Sequence, residues 1–291
     1  MKINNIVIWL SLLILPLALV AAGAGVFWQG EGEPRPFTVL RGETVLVHGR
    51  GLYRYDGLSS AAQEMAQDVV TLVLGLPLLV AGLVLNRKGS LRGQLLLTGG
   101  LAYFLYTYAA MSFLTAFNPL FLVYVALFSL SLFGLILMLS SLEPTQIVRH
   151  LSSHFPRRAI AIFFLIVAAF LTLAWFGLAV PPMFSGATPA GLESATTMVI
   201  QALDLGVIVP TSLITAFLLW KKRPWGYTLS VVVLVKLLTM GAALIAMIIG
   251  QVLAGVEVDP VVSTIFTLIC LTGMGLSVMT LRNIQDQVMV A

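Results

Sequence analysis

Lys236 carries the most chemistry in this chain. It stands in the apolar run Leu234-Val235-Lys236-Leu237-Leu238, ten residues past Gly226. Ten helical residues rise about 15 Å, which places the amine near the middle of a hydrocarbon layer about 30 Å thick. A charge at that depth costs about 2.5–3.5 kcal/mol on insertion scales, so the amine faces protein or water, or is neutral. Asp204, seventeen residues before Lys221, is the acid available to it. That spacing puts Asp204 about 25 Å from the same side of the layer. A Lys236–Asp204 pair is the simplest proposal, but the two differ by about 10 Å in depth. Side chains also tilt toward the N-terminus of their own helix, which on antiparallel neighbours moves the two groups apart. A water or a ligand would then bridge them. Gln201, three residues before Asp204, shares its face. Tyr103 follows Gly93 by the same ten residues that separate Lys236 from Gly226, and Tyr106 shares a face with Tyr103. Asp68 opens the second apolar segment. Lys236, Asp204, Gln201, Tyr103, Tyr106 and Asp68 together could bind a small polar or charged solute inside a membrane. The alternatives are a structural ion pair at Lys236, ordinary interhelical hydrogen bonds at the tyrosines, and a helix start in the headgroup zone at Asp68.

Other chemistry is thinly represented. His150 and His154 have the i, i+4 spacing of a metal pair, but Glu143 is the only further ligand nearby, and three are the usual minimum. No metal site and no cofactor is expected. There is no Gly-Lys-Ser/Thr phosphate loop, no Gly-x-Ser-x-Gly, no His-Glu-x-x-His and no pair of carboxylates deep in an apolar segment. No catalytic residue is assigned. The single cysteine, Cys270, excludes an intrachain disulfide.

These side chains must be positioned by a membrane fold. Of 291 residues 59% are apolar and 10% charged, and mean hydropathy is +1.02. Soluble domains carry about 25% charged residues, so a soluble enzyme and a nucleic-acid binder are excluded. Eight segments have the roughly 20 apolar residues that a crossing needs: 6–27, 67–86, 94–115, 119–141, 159–180, 198–220, 227–250 and 261–282. With both termini in the cytoplasm, 11 of the 16 basic residues lie inside: Lys2, Arg87, Lys88, Arg92, Arg149, Arg157, Arg158, Lys221, Lys222, Arg223 and Arg282. Arg35, Arg41, Arg50 and Arg54 share one outer loop. The net charge of +4 thus reads as membrane orientation, and the expected location is a cytoplasmic membrane. An alternative for residues 1–27 is a signal peptide cleaved near Ala22-Gly23-Ala24.

The two halves look alike. The second and sixth segments each carry an acid, a proline and a basic turn, as Asp68, Pro77 and Arg87-Lys88-Gly89, and as Asp204, Pro210 and Lys221-Lys222-Arg223. Asn118-Pro119 and Asp259-Pro260 both read as a helix cap followed by a first-turn proline. The expected fold is all-α: eight transmembrane helices in two parallel four-helix repeats, with 67–141 and 159–282 carrying helices 2–4 and 5–8. Between them, 142–158 reads as a cytoplasmic interfacial linker, with Ile147, Leu151 and Phe155 on one helical face. Residues 283–291 form a cytoplasmic tail. Residues 28–66 form an external loop with a small β-meander, strand-like at 37–40, 44–47 and 52–55, and Ser60 with Gln63 is a capping box. This loop would be a structural cap or a lid.

Four stretches carry a resemblance: Gly51-Leu52-Tyr53-Arg54-Tyr55-Asp56, Lys88-Gly89-Ser90-Leu91-Arg92-Gly93, Tyr103-Phe104-Leu105-Tyr106 and Asn118-Pro119-Leu120-Phe121-Leu122-Val123-Tyr124. Over the external loop and the second to fourth segments the chain resembles a family of prokaryotic multi-span membrane proteins, a resemblance that implies no activity. Three functions fit the residues. One is a small-solute transporter or permease with its site between the halves. A second is a receptor, sensor or assembly factor that binds a partner through 35–56. The third is a lipid-modifying enzyme with Lys236 as base, disfavoured because no acid–base partner shares its depth. The expected partners are membrane lipid and a small solute.

Overall fold

The chain is described here by a computed structural model covering residues 3–285; Lys2 and tail residues 286–291 lie outside the described residues. Among the described residues eight helices are long and apolar enough to cross a membrane, which supports a multi-pass membrane protein. Their outward faces expose Trp9, Leu13, Phe133, Ile166, Phe217 and Leu268, a dress suited to lipid rather than water.

Helix α1 (Ile3–Phe27) leads to a hairpin of β1 (Arg35–Thr38) and β2 (Thr44–Val47), paired antiparallel with Arg35 opposite Val47 and Thr38 opposite Thr44. The second crossing joins α2 (Leu58–Val70), a π-helical turn at Thr71–Gly75, and α3 (Leu76–Arg87). Helices α4 (Leu91–Phe113) and α5 (Phe121–Ser141) complete the first half. After the short α6 (Pro144–Arg149), α7 (Arg157–Ser185) opens the second. Its next crossing joins α8 (Val199–Leu203), a π-helical turn at Asp204–Ile208, and α9 (Val209–Trp220). Helices α10 (Pro224–Leu253) and α11 (Pro260–Arg282) follow.

Both interrupted crossings have a local cause. Pro77 and Pro210 each sit two residues beyond the end of a π turn. A proline in a helix interior has no N–H and crowds the preceding turn, and one added residue in the helix takes up that misfit. The turns after these crossings also match. Gly89 (φ 77) and Lys222 (φ 53) reverse the chain in the left-handed region. Gly93 and Gly226 then let the next helix close in: a Cβ on Gly93 would lie 2.4 Å from the Asn86 amide, and one on Gly226 2.5 Å from the Leu219 amide.

In the first half α1 packs on α5, α3 on α4, and α4 on α5, around Ile14, Leu101, Phe104 and Leu127. In the second α7 packs on α9, and α10 on α9 and α11. Helix α10 also packs on α2 and α4, and this seam joins the halves.

Several sequence expectations are corrected. Residues 52–55 are not a third strand. They form a tight turn that buries Leu52 and Tyr53, and its far side meets the hairpin through a single Val47–Gly57 bridge. Asn118 does not cap α5. Its Oδ1 accepts the Leu120 amide at 2.9 Å in a turn ahead of the helix, whereas Asp259 does cap α11, accepting from Val261 and Val262. The linker is helical only over α6, and Ile147 is buried against protein, not laid on a surface. Leu151 bridges Ile284. Helix α7 runs through Pro181-Pro182, where a break was expected.

Candidate functional site

A cavity of about 620 Å³ lies between the halves at the hairpin end and reaches down to Lys236. Its first-half wall comes from α2 and α4, its second-half wall from α7, α8, α10 and α11. The segment 190–198 runs over its mouth.

At its inner end Tyr106 ties three groups together. The π turn that begins at Asp204 turns that carboxylate toward α4, where the Tyr106 hydroxyl donates to Oδ1 at 2.7 Å. Trp175 Nε1 donates to Oδ2 at 2.9 Å. The Lys236 Nζ stands 4.0 Å over the Tyr106 ring. Lys236 and Asp204 form no direct ion pair; among the described residues the ion pair found is Arg41–Glu43. The gap foreseen between amine and carboxylate is therefore real, and a phenol spans it where a water or ligand was expected. A cation on an aromatic face gains about 0.5–2 kcal/mol, most where water is excluded. Gln201 lines the same cavity one turn above Asp204.

Tyr103 and Asp68 do not face this space. Tyr103 is fully buried, its hydroxyl 2.6 Å from Gln67 Nε2 and 2.8 Å from Thr71 Oγ1. Asp68 is no helix-start residue, since α2 begins ten residues earlier at Leu58. It is buried inside the first half, and its Oδ2 accepts from the Tyr53 hydroxyl at 2.5 Å. Burial first, and then the Asp68 charge, hold the Tyr53 phenol well above its usual value. Gly25 of α1 makes room for this pair: a Cβ there would fall 1.7 Å from Asp68 Oδ2. His150 and His154 are exposed, and the His150 ring lies against the Gln146 carbonyl.

Several cavity residues were not foreseen. Gln63 and Glu64 of α2 line it ahead of the expected span, on a helix that begins at Leu58 close to the start Ser60 and Gln63 mark, and Gln67 lines it at the span's first residue. Ser60, Gln63/Glu64, Gln67 and Thr71 recur at helical spacing, a polar stripe legible in the sequence. Trp175 was the one tryptophan inside a span rather than at its edge, where a buried indole N–H needs an acceptor.

The mouth is latched. No capping box forms at Ser60 and Gln63. Instead Glu193, from the loop after α7, caps α2 from outside, accepting the Ser59 and Ser60 amides at 3.1 Å each and the Ser60 hydroxyl at 3.0 Å. Its backbone is strained at φ 45, and Gly57 leaves space for the carboxylate, which a Cβ would meet at 2.1 Å. From the hairpin, Arg41 donates to the carbonyls of Glu193 and Ala195 at 2.8 and 2.9 Å. The hairpin itself contributes no wall to the cavity. It holds the loop that does.

Beside the latch lie two more acids. Asp56 accepts the Ala116 amide at 2.6 Å. Burial, and secondarily the Glu193 charge, push its carboxyl up to about 7 against that hydrogen bond. Burial, with Arg50 adding, holds the nearby His48 below its usual value. Glu64 accepts from Thr115 Oγ1 at 2.7 Å.

The chain matches no protein-family model, no curated protein and no solved structure.

Proposed function

We propose that this membrane protein binds a small amphipathic solute in the cavity between its halves and carries it across the membrane. The observation that carries the reading is the cavity itself: walled by both halves, anchored by Tyr106, Asp204 and Lys236, and covered by a loop. Its volume falls in the range of about 300–1,000 Å³ common to small-molecule sites. The matched π turns, prolines and turn glycines of the second and sixth crossings favour two parallel repeats, a plan in which one half moves against the other around a central site. The basic residues favour cytoplasmic termini and an outer mouth.

The cavity's chemistry points to a cationic solute. Glu257 and Asp259 make the mouth acidic, which concentrates cations there. Phe170, Trp175 and Phe266 form an aromatic wall, with Phe170 and Phe266 edge to face at 4.9 Å. Aromatic faces bind quaternary ammonium groups. Proteoliposomes carrying the chain therefore accumulate benzyltrimethylammonium faster than empty liposomes, and Asp204→Asn and Tyr106→Phe return uptake to the background. Uptake of benzenesulfonate in its place overturns the charge assignment. Uptake of neither overturns transport.

The hairpin favours a second reading, partner recognition. Leu40 is 97% exposed at its tip, with Phe37 and Leu46 half-exposed beside it. Deleting 35–56 would remove Tyr53 from Asp68, so Leu40→Ser with Phe37→Ser is the cleaner probe. In this reading the double variant keeps its melting temperature and loses a cross-linked neighbour.

A further inference from the structure

Asp56 and Glu64 have an arrangement that solute binding does not use. They are 4% and 7% exposed. Each has one oxygen satisfied, and the donors are consecutive residues, Ala116 for Asp56 and Thr115 for Glu64. The two carboxyls are thus drawn to neighbouring donors and interact electrostatically. Each has its second oxygen, Asp56 Oδ2 and Glu64 Oε2, buried without a hydrogen-bond partner. Among the described residues no lysine or arginine forms an ion pair with either.

The groups around the pair deepen the problem. Asp68 lies one turn further along α2, and Glu193 approaches from the loop. Tyr53 from the hairpin turn and Tyr124 from α5 are neutral phenols within electrostatic range. His48 contributes its backbone amide, to the Asp56 carbonyl at 2.9 Å. Two ionised carboxylates with no cation cannot both persist in so dry a place. One proton taken up by the pair would relieve their like-charge conflict, as in carboxyl groups that titrate as a unit. Glu64 also lines the cavity, which gives that proton a path to solvent.

We propose that Asp56 and Glu64 form a proton-binding site whose occupancy holds the 190–198 loop over the cavity. The link is Glu193. It caps α2 at Ser59 and Ser60, three residues after one acid and a turn before the other, and it acts on both electrostatically. When the pair loses its proton, a second negative charge appears beside the Glu193 carboxylate and pushes it off the helix start. The sign follows from the Asp56 value of about 7 in the closed form against 3.8 for a free aspartate. The closed loop binds the proton more tightly, so closure is complete at low pH and is lost as pH rises through about 7. Nothing in this requires a solute, and its test contains none.

Two measurements on the purified full chain test it. Leu192→Cys places a thiol under the loop, and wild type, with only the buried Cys270, is the blank. Its maleimide labelling, corrected for thiolate fraction, rises by up to about tenfold per pH unit above the midpoint. Adding Asp56→Asn or Glu64→Gln flattens that dependence. Infrared difference spectra between about pH 5.5 and pH 8.5 lose the carbonyl band of a protonated carboxylic acid in wild type and not in Glu64→Gln. A pH dependence that survives both substitutions overturns the proposal, as does its absence in wild type. Labelling that follows sodium at fixed pH overturns the proton in favour of a metal cation. If Asp56→Asn does not fold, Glu64→Gln and the infrared band decide.

Discussion

At the scale of single residues, the central fact is that a phenol stands between a lysine and an aspartate. A direct buried pair predicts that losing either partner costs about 3–5 kcal/mol and that losing both recovers much of it. Here Asp204 keeps two neutral donors without Lys236, and Lys236 rests on a ring face. Lys236→Met is therefore expected to cost only about 0.5–2 kcal/mol. Tyr106→Phe, which removes a hydrogen bond to a carboxylate, costs about 1.5–3 kcal/mol. Melting temperatures in detergent decide it. The decisive result is the cycle: any Lys236–Asp204 coupling should vanish in a Tyr106→Phe background, because the ring stays under the amine but no longer touches the acid. Gly25 offers an independent check. Its missing Cβ is where Asp68 Oδ2 sits, so Gly25→Ala destabilises by about 1–3 kcal/mol through overpacking. Asp68→Ala in the same chain relieves that clash, and the double variant melts above the sum of the two losses.

At the scale of elements, the π turns set the aim of the site. Asp204 opens one of them, and the helix before it is out of register with the helix after it by one residue. Deleting Gly206, whose Cα faces open space, restores an α-helix and swings Asp204 by about 100° around the axis. The crossing survives in circular dichroism. The emission component that Trp175→Phe removes shifts, because the indole has lost its acceptor. These elements also show what the sequence could carry. All eight apolar helices and Asp259 as a cap follow from hydropathy and spacing, which are local properties. The π turns do not, because a proline inside an apolar run predicts a misfit but not its remedy. Ser60 and Gln63 mark a helix start close to the Leu58 observed, but a hydropathy window opens the span only at 67 and discards the polar amphipathic turn that carries Gln63 and Glu64. Glu193 was invisible for a different reason: it caps a helix 133 residues away, and no local pattern encodes that. The partner of Asp68 was equally hidden, because Tyr53 folds back from the turn after the hairpin to reach it.

At the scale of the whole molecule, the two halves meet along α10, and glycines set how closely they approach. Near the linker end a Cβ on Gly99 of α4 would lie 2.4 Å from Val235 Cβ on α10. Near the hairpin end a Cβ on Gly250 of α10 would lie 2.9 Å from the Ala62 carbonyl of α2. The first site lies below the cavity and the second beside its mouth, where Ser59 Oγ also reaches Gln251 at 3.0 Å. A wedge at each site should therefore act differently. Gly99→Val forces a branched side chain against another branched, rotamer-locked one and cannot be absorbed locally. It is expected to lower the melting temperature by the equivalent of about 1–3 kcal/mol or more, with the loop still latched. Gly250→Ala meets a backbone carbonyl on a helix whose start is held by side-chain contacts from Glu193 and Gln251, and α2 can yield there by a few tenths of an ångström. Its cost in stability is small, but it strains the Ser59 and Ser60 amides away from the Glu193 carboxylate. Labelling at Leu192→Cys should then increase at every pH while the melting temperature barely moves. The reverse pattern, a large melting loss with unchanged labelling, would mean that the halves are one rigid body at the mouth, and a cavity between them could not open by their separation.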